Sequence, residues 1–415
     1  MRRLSRHDSR MEESVSRTDG QLRIVIAGAG YAGLHAAQRS GRWLENHDQV
    51  EMTLVDRNDY HQLITELPRV ATGSLEKSRV QIETHPLLSR RVRFVQTRIT
   101  GFDLVERSLV TDAGHLPYDY LVLALGSRPN DFGIPGLAEQ VLSPYSAEEA
   151  QQVWEAVSNS VRSAAATTDP VEQQRLLTIV IGGGGATGVE LAGAFADGLP
   201  DLAREYGSPP ELIRVILIEA GNTILAGSSP GLIARAMSTL EELRVEVRTN
   251  TVVAEAVPHG FRIKNGMMIE GGVFIWAGGV KAPELVRGSG LLVGYNGRIK
   301  VDEYLRAVRH ADIFVAGDLA SVADAQSGRA LPALAQVALE EGATVAHNLR
   351  ATIEGRALEP FKFDNKGFVV SIGDRAGVAE VAGITLGGRL AHGLKDAIEW
   401  EYRQSVQYLH GFAAV

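Results

Sequence analysis

Two stretches of this chain follow the same local grammar, and few backbones accept it. The first, "LRIVIAGAGYAGLHAAQRS", opens with the apolar run Leu22–Ala27, which suits a parallel strand buried on both faces. Gly28, Gly30 and Gly33 then give the spacing GxGxxG, and Leu34, Ala36 and Ala37 continue with a helical pattern. A tight strand-to-helix turn needs the first glycine, and approach of backbone amides to a pyrophosphate needs the second. Close packing of helix on strand needs the third. The helix N-terminus then favours an anion in front of it. The following strand, "VEMTLVD", ends in Asp56, about twenty residues on, where a carboxylate grips a ribose diol.

The second stretch, "LLTIVIGGGGATGVELAGAFAD", repeats this order with strand Leu177–Ile181, then Gly183, Gly185 and Gly188, then a helix. Its next strand, "IRVILIEAG", ends in Glu219 after a longer gap. For either glycine loop alone, the rival reading is a plain tight strand–helix turn. Two of them, each with its acid, point to an α/β chain with two Rossmann-like dinucleotide-binding domains. Two nucleotides follow from two units: a resident flavin and a passing nicotinamide. Glu219 accepts from both ribose hydroxyls and repels a 2′-phosphate, and Ala220-Gly221 brings no cation, so NADH is expected over NADPH.

The chain has 415 residues and no cysteine. That excludes a disulfide framework, a CxxC redox pair, thiolate zinc and iron–sulfur ligation, so redox chemistry must run on a bound organic cofactor. The eleven histidines show no metal-ligand spacing, and no metal is expected. With 42 Lys+Arg against 50 Asp+Glu, a formal charge of −8 argues against nucleic acid as a partner. The opening "MRRLSRHDSRMEESVSRTDG" is charged, Ser-rich and without an apolar core for a signal peptide, so residues 1–20 are expected to be a disordered tail. No run of eighteen apolar residues occurs, which leaves a cytoplasmic chain with peripheral attachment to the inner face of the cell membrane still open.

Between the two units, "SLVTDAGHLPYDYLVLALGSRPN" reads as a hairpin and a buried strand, and "SPYSAEEAQQVWEAVSNSVRSAAATTDPVEQQ" as a helix running into a polar loop. "ADIFVAGDLASV" returns to the first unit with a buried strand closed by Gly317-Asp318. The organisation expected is a FAD domain (residues 21–145 and 286–355) with an inserted NADH domain (146–285). A small C-terminal region (356–415) follows.

With these pieces in order, residues 22 to about 412 resemble the type II NADH:quinone oxidoreductases among the two-dinucleotide-binding-domain flavoproteins. The resemblance runs through "DRNDYHQLITELPRVATGSL", "YDYLVLALGSRPNDFGIPG", "GGGATGVELAGA", "WAGGV", "VAGDLA" and "LPALAQVALEEG". It implies non-covalent FAD held at Gly28, Ala29, Gly30, Gly33, Asp56, Arg57, Ile99, Ala124, Gly126, Gly317, Asp318, Ala335 and Gln336. It implies NADH at Gly183, Gly184, Gly185, Thr187, Gly188, Glu190, Glu219 and Gly278. Glu190, Gln336 and Glu340 are the candidate catalytic residues, with Gln336 and Glu340 as the quinone wall. For Glu190 the rival reading is a first-turn carboxylate stabilised by the helix dipole. The activity implied is hydride transfer from NADH to FAD and of two electrons on to a quinone, without proton pumping. A helix starting near Pro332 would stabilise negative charge on the reduced ring, and a buried Glu340 with a raised pKa would deliver a proton.

Two departures touch the acceptor side. The family's usual Gln-Pro-Leu-Leu-Tyr-Gln reads Ile64-Thr65-Glu66-Leu67-Pro68-Arg69 here, and a second Gln is replaced by Glu340. Near the C-terminus, Leu390, Leu394, Ile398, Tyr402, Val406 and Leu409 form a stripe at helical spacing. It is expected to pack on the core or on a second subunit, or to dock on a membrane surface. Other readings stay open: a soluble NADH-dependent flavoprotein reductase using a dye, oxygen or a small redox protein, and a flavin-dependent redox sensor. Sulfide:quinone and dithiol chemistry is excluded by the missing cysteine.

Overall fold

The computed structural model describes residues 21–324, 328 and 330–408. The expected tail 1–20 and Leu409 lie outside the described residues. Two parallel sheets organise the chain, as βαβ grammar requires. The first has the order Ile313–Val315, Tyr120–Leu123, Leu22–Ala27, Val50–Asp56, Val92–Gln96, every pair parallel. The second runs Glu246–Arg248, Arg214–Ile218, Thr178–Gly182, Val273–Trp276, again all parallel. Their central strands are covered on both faces: the last four residues of Leu22–Ala27 and all five of Thr178–Gly182 are buried.

The two units share more than the glycine loop. Each carries a three-stranded antiparallel sheet before its return strand: Ile99–Asp103, Ser108–Thr111 and Gly114–Pro117 in the first, Val253–Val257, Gly260–Ile263 and Met268–Glu270 in the second. The chain crosses between them twice, and the crossings pair antiparallel as Arg128–Pro129 with Val280–Lys281. Helix Ala147–Ala166 follows the first crossing. Its start is fixed by a capping box in which Ser146 accepts from Glu149 N–H and the Glu149 carboxylate accepts from Ser146 N–H. The polar loop expected after it contains a further short helix, Pro170–Leu176, capped by Asp169.

The strand Ile313–Val315 brings the chain back to the first sheet, and helix Ala335–Ile353 then lies across helix Tyr31–Leu44. A Cβ on Gly342 would sit 2.4 Å from the Ala32 carbonyl oxygen, so the small residue permits this crossing. The helix starts three residues later than Pro332 suggested. Leu331 N–H donates to Val322 and its carbonyl accepts from Arg298, while Leu334 is extended (φ −131°, ψ 144°). These contacts hold the segment straight and override the proline signal.

A three-stranded antiparallel sheet, Phe368–Ser371, Gly377–Val381 and Ile384–Gly387, leads into helix Arg389–Tyr408. The apolar stripe expected on this helix does not act as one face. Tyr402 and Val406 pack into the core and Leu394 lines a cavity, but Leu390 is 75% and Ile398 44% exposed. Spacing of four drifts by about 40° per step on a helix of 3.6 residues per turn, so a stripe this long winds off the packed side. The buried face runs instead through Ala391, Lys395 and Val406, with the partly buried Tyr402 beside it. Among the described residues no helix is long and apolar enough to cross a membrane.

Candidate active site

The two glycine loops fold alike, and each leaves the same opening. Gly28 (φ +107°) and Gly183 (φ +112°) make the turn in a conformation that side chains rarely adopt. A Cβ on Gly33 would fall 1.9 Å from the Gly28 carbonyl oxygen, and one on Gly188 1.8 Å from that of Gly183. By contrast Gly30 and Gly185, the middle glycines, face open space with nothing within 4 Å of an added Cβ. Both loops are therefore packed shut behind and open in front, as a backbone cradle for a pyrophosphate must be.

Each acid lies against its loop. Asp56 accepts from Ala29 N–H at 2.7 Å and from Asn58 N–H at 2.9 Å. Glu219 accepts from Gly184 N–H at 2.7 Å and Gly221 N–H at 2.6 Å. Arg57 is exposed beside Asp56, and Ile99 packs in the cluster that holds Val55 at the same strand end. Gly278 closes against the second loop: a Cβ on Gly183 would meet the Gly278 Cα at 2.7 Å. The cations near Glu219 are engaged elsewhere, since Arg214 and Arg248 both pair with Glu246.

A cavity of about 890 Å³ joins the two units. Thr187 and Glu190 from the second loop helix, Asp318 from the Gly-Asp turn, and Ala335, Gln336 and Glu340 from the later helix line it together. Ala124 and Gly126 stand at the end of strand Tyr120–Leu123, where the Ala124 carbonyl backs Gly28. Ser127 then donates to Asp318 at 2.7 Å and is itself bonded by Tyr145, fixing that carboxylate at the cavity wall. Gln336 donates to the Gly367 carbonyl at 3.2 Å.

The acids of the cavity differ in their company. Glu190 is the fifth residue of its helix, 8% exposed, paired with Lys395 and accepting from Ser371 N–H at 3.2 Å. Its partners come from the C-terminal region rather than from its own helix N-terminus. Glu340 is not the buried carboxyl expected: 23% of its side chain is exposed, it stands 3.7 Å from Lys366 and it accepts from Asp364 N–H. The fully buried acid of this helix is its neighbour Glu341, which faces inward with Ala338, Gly342 and Val345. Glu341 accepts from Gly317 N–H at 2.5 Å, and burial pushes its pKa up to about 8.

The sequence reading missed a group of residues that tie the first loop to the C-terminal helix. Tyr31, the first residue of the loop helix, stacks on Tyr402 with ring centroids 4.7 Å apart. The wholly buried His61 binds the Ala29 carbonyl through Nδ1 at 3.0 Å, so Nδ1 carries the proton. Its Nε2 then accepts from Tyr402 OH at 2.8 Å. Burial holds this imidazole neutral, with a pKa lowered to about 4. His61 lies within the stretch "DRNDYHQLITELPRVATGSL", but only the fold reveals its partner 341 residues away.

Residues 22–342 match the family model described as pyridine nucleotide-disulphide oxidoreductase. The chain is 30% identical over 381 residues to a type II NADH:quinone oxidoreductase of Staphylococcus haemolyticus (strain JCSC1435), covering 91% of this chain and 94% of that one. A protein of the same name from Staphylococcus aureus (strain NCTC 8325 / PS 47) is 29% identical over the same shares. In overall fold, NDH2 from Plasmodium falciparum, solved in complex with NADH, superposes with a TM-score of 0.83 at 18% identity, over 94% of this chain and 96% of that one. With the sequence relationship running through both glycine loops, the Gly-Asp turn and the later helix, the chain belongs to the pyridine nucleotide-disulphide oxidoreductases and, within them, to the type II NADH:quinone oxidoreductase family.

Proposed function

We propose that this chain is a non-proton-pumping NADH:quinone oxidoreductase with FAD as its resident cofactor and NADH as its co-substrate. The observation that carries this reading is the single cavity shared by the second glycine loop, the Gly-Asp turn and the N-terminus of helix Ala335–Ile353. Residues 21–145 and 286–355 form the FAD unit in this reading, and 146–285 the NADH unit. Gly28, Ala29, Gly30, Gly33 and Asp56 hold the adenosine and pyrophosphate end. Ala124, Gly126, Gly317, Asp318, Ala335 and Gln336 surround the ring end, with Arg57 and Ile99 at the adenine side. When bound, FAD supplies the two-electron chemistry that joins NADH oxidation to quinone reduction.

The protein's own part is orientation and charge. Gly183, Gly184, Gly185, Thr187, Gly188 and Gly278 seat NADH, and Glu219 binds its ribose and rejects a 2′-phosphate. The N-terminus of helix Ala335–Ile353 presents unpaired amides to negative charge in the cavity. Gln336 and Glu340 form one wall for the acceptor, and Glu190 with Lys395 the opposite one. The exposed Leu390, Ile398 and Trp400 support peripheral contact with a membrane surface, from which a quinone reaches the cavity; sedimentation with phospholipid vesicles tests it.

Steady-state NADH oxidation with a soluble quinone, oxygen and ferricyanide, side by side, tests the acceptor. Quinone is expected to give the fastest turnover. Near-zero quinone turnover beside strong ferricyanide reduction sinks the proposal in favour of a soluble reductase, and slow turnover with all three favours a sensor.

A further inference from the structure

The cavity contains a carboxyl that neither the glycine motifs nor the Ala-Gln helix accounts for. Glu399, on helix Arg389–Tyr408, lines it together with Glu190, Lys395 and Gln336. Its Oε2 accepts from Thr65 Oγ1 at 2.9 Å, and Thr65 Oγ1 is 3.2 Å from Tyr31 OH. Thr65 belongs to the segment in which this chain departs from the family's usual Gln-Pro-Leu-Leu-Tyr-Gln.

Two other acids of the cavity face cations, while Asp318 is held by the Ser127 hydroxyl. Glu190 is paired with Lys395, and Glu340 faces Lys366. Lys395 stands one turn before Glu399 on the same helix but spends its ammonium on Glu190. Glu399 has a neutral hydroxyl as its hydrogen-bond partner. The charged and titratable groups facing it are Lys395 and Tyr402 from its own helix, Tyr31 from the first loop helix, Glu66 beside Thr65, and Glu190 from the second loop helix. Glu66 is buried and held by Arg69 and Arg403. Burial, with Glu66 and Glu190 adding to it, raises the Glu399 pKa, against the opposing effects of Lys395 and Thr65.

We propose that Glu399, positioned by Thr65 and Tyr31, is the carboxyl that donates a proton to the quinone oxygen during reduction. The inference rests on the quinone reading above. The overall balance is NADH + H⁺ + quinone giving NAD⁺ + hydroquinone. Both electrons and one hydrogen come from NADH, and the second hydrogen is the proton taken from Glu399. The O–H bond of the carboxyl breaks as an O–H bond forms on the substrate, and the carboxylate regains its proton from water at the cavity mouth.

Glu399→Gln keeps an acceptor for the Thr65 hydroxyl but holds no transferable proton, so it separates proton donation from a merely structural tie. The flavin-loaded protein is assayed with a soluble quinone and with ferricyanide, which takes electrons without protons, across a pH series. The ratio of quinone to ferricyanide turnover is expected to fall roughly 10- to 100-fold in the variant. The alkaline fall in the quinone profile flattens, and the infrared band of a protonated carboxyl disappears. An unchanged ratio and unchanged profile overturn the proposal, whereas a wild type that reduces ferricyanide but no quinone overturns the quinone reading itself. Thr65→Val is the second variant: losing a hydrogen bond to the carboxylate moves the alkaline limb to higher pH, and a limb that does not move overturns the proposal.

Discussion

The two glycine loops share a backbone and differ in what covers them. In the first, Tyr31 and Ala32, directly after the middle glycine, are 9% and 5% exposed. They lie under Tyr402 of the C-terminal helix and against Gly342 of helix Ala335–Ile353. In the second, the equivalent Ala186 is half-buried and Thr187 exposed. With FAD on the first loop and NADH on the second, as proposed, retention and exchange of a nucleotide would be written outside the motif: the same cradle would serve a resident group where other helices close over it, and a co-substrate where they do not.

Substituting the third glycine of each loop breaks this comparison most severely. Gly33→Val drives a side chain into the Gly28 carbonyl, and the purified protein is expected to carry no flavin by its absorption spectrum. Gly188→Val makes the same clash in the second loop but should leave the flavin in place and prevent NADH from bleaching it. Flavin retained in Gly33→Val would mean that the first loop is not the FAD cradle. Tyr402→Ala tests the cover with the loop intact. Truncating this partly buried aromatic removes the stacking partner of Tyr31, and flavin release on dilution, followed by its fluorescence, should accelerate at least tenfold while NADH affinity stays near wild type. Equal loss of both would show that the helix supports the whole molecule rather than the first unit. Glu219→Ala is the mildest change: the preference for NADH over NADPH in kcat/KM should shrink about tenfold, or about 1.4 kcal/mol. An unchanged ratio would place cofactor choice elsewhere.

The loops and their acids were legible because their physics is local. A turn, a close approach and a strand end fit in a short window, and Gly28, Gly33, Asp56 and Glu219 can be read from spacing alone. The choice between Glu340 and Glu341 was not. Spacing from Gln336 selects Glu340 for a shared face, but burial follows whichever face meets helix Tyr31–Leu44, and that face carries Ala338, Glu341, Gly342 and Val345. Lys395 and Glu399 stayed hidden for a related reason. A polar residue on an amphipathic helix reads as its wet side, and only distant partners such as Glu190 and Thr65 turn that side inward.

Helix Arg389–Tyr408 touches the second unit through Lys395 and the first through Tyr402, and Glu399 faces the space between. A stop codon placed ahead of Arg389, of the kind used to make a protein easier to handle, would therefore be an active-site edit. It would strip one wall from the cavity, take the Lys395 ammonium from Glu190 and uncover Tyr31 in a single step, while leaving both glycine signatures intact in the gene.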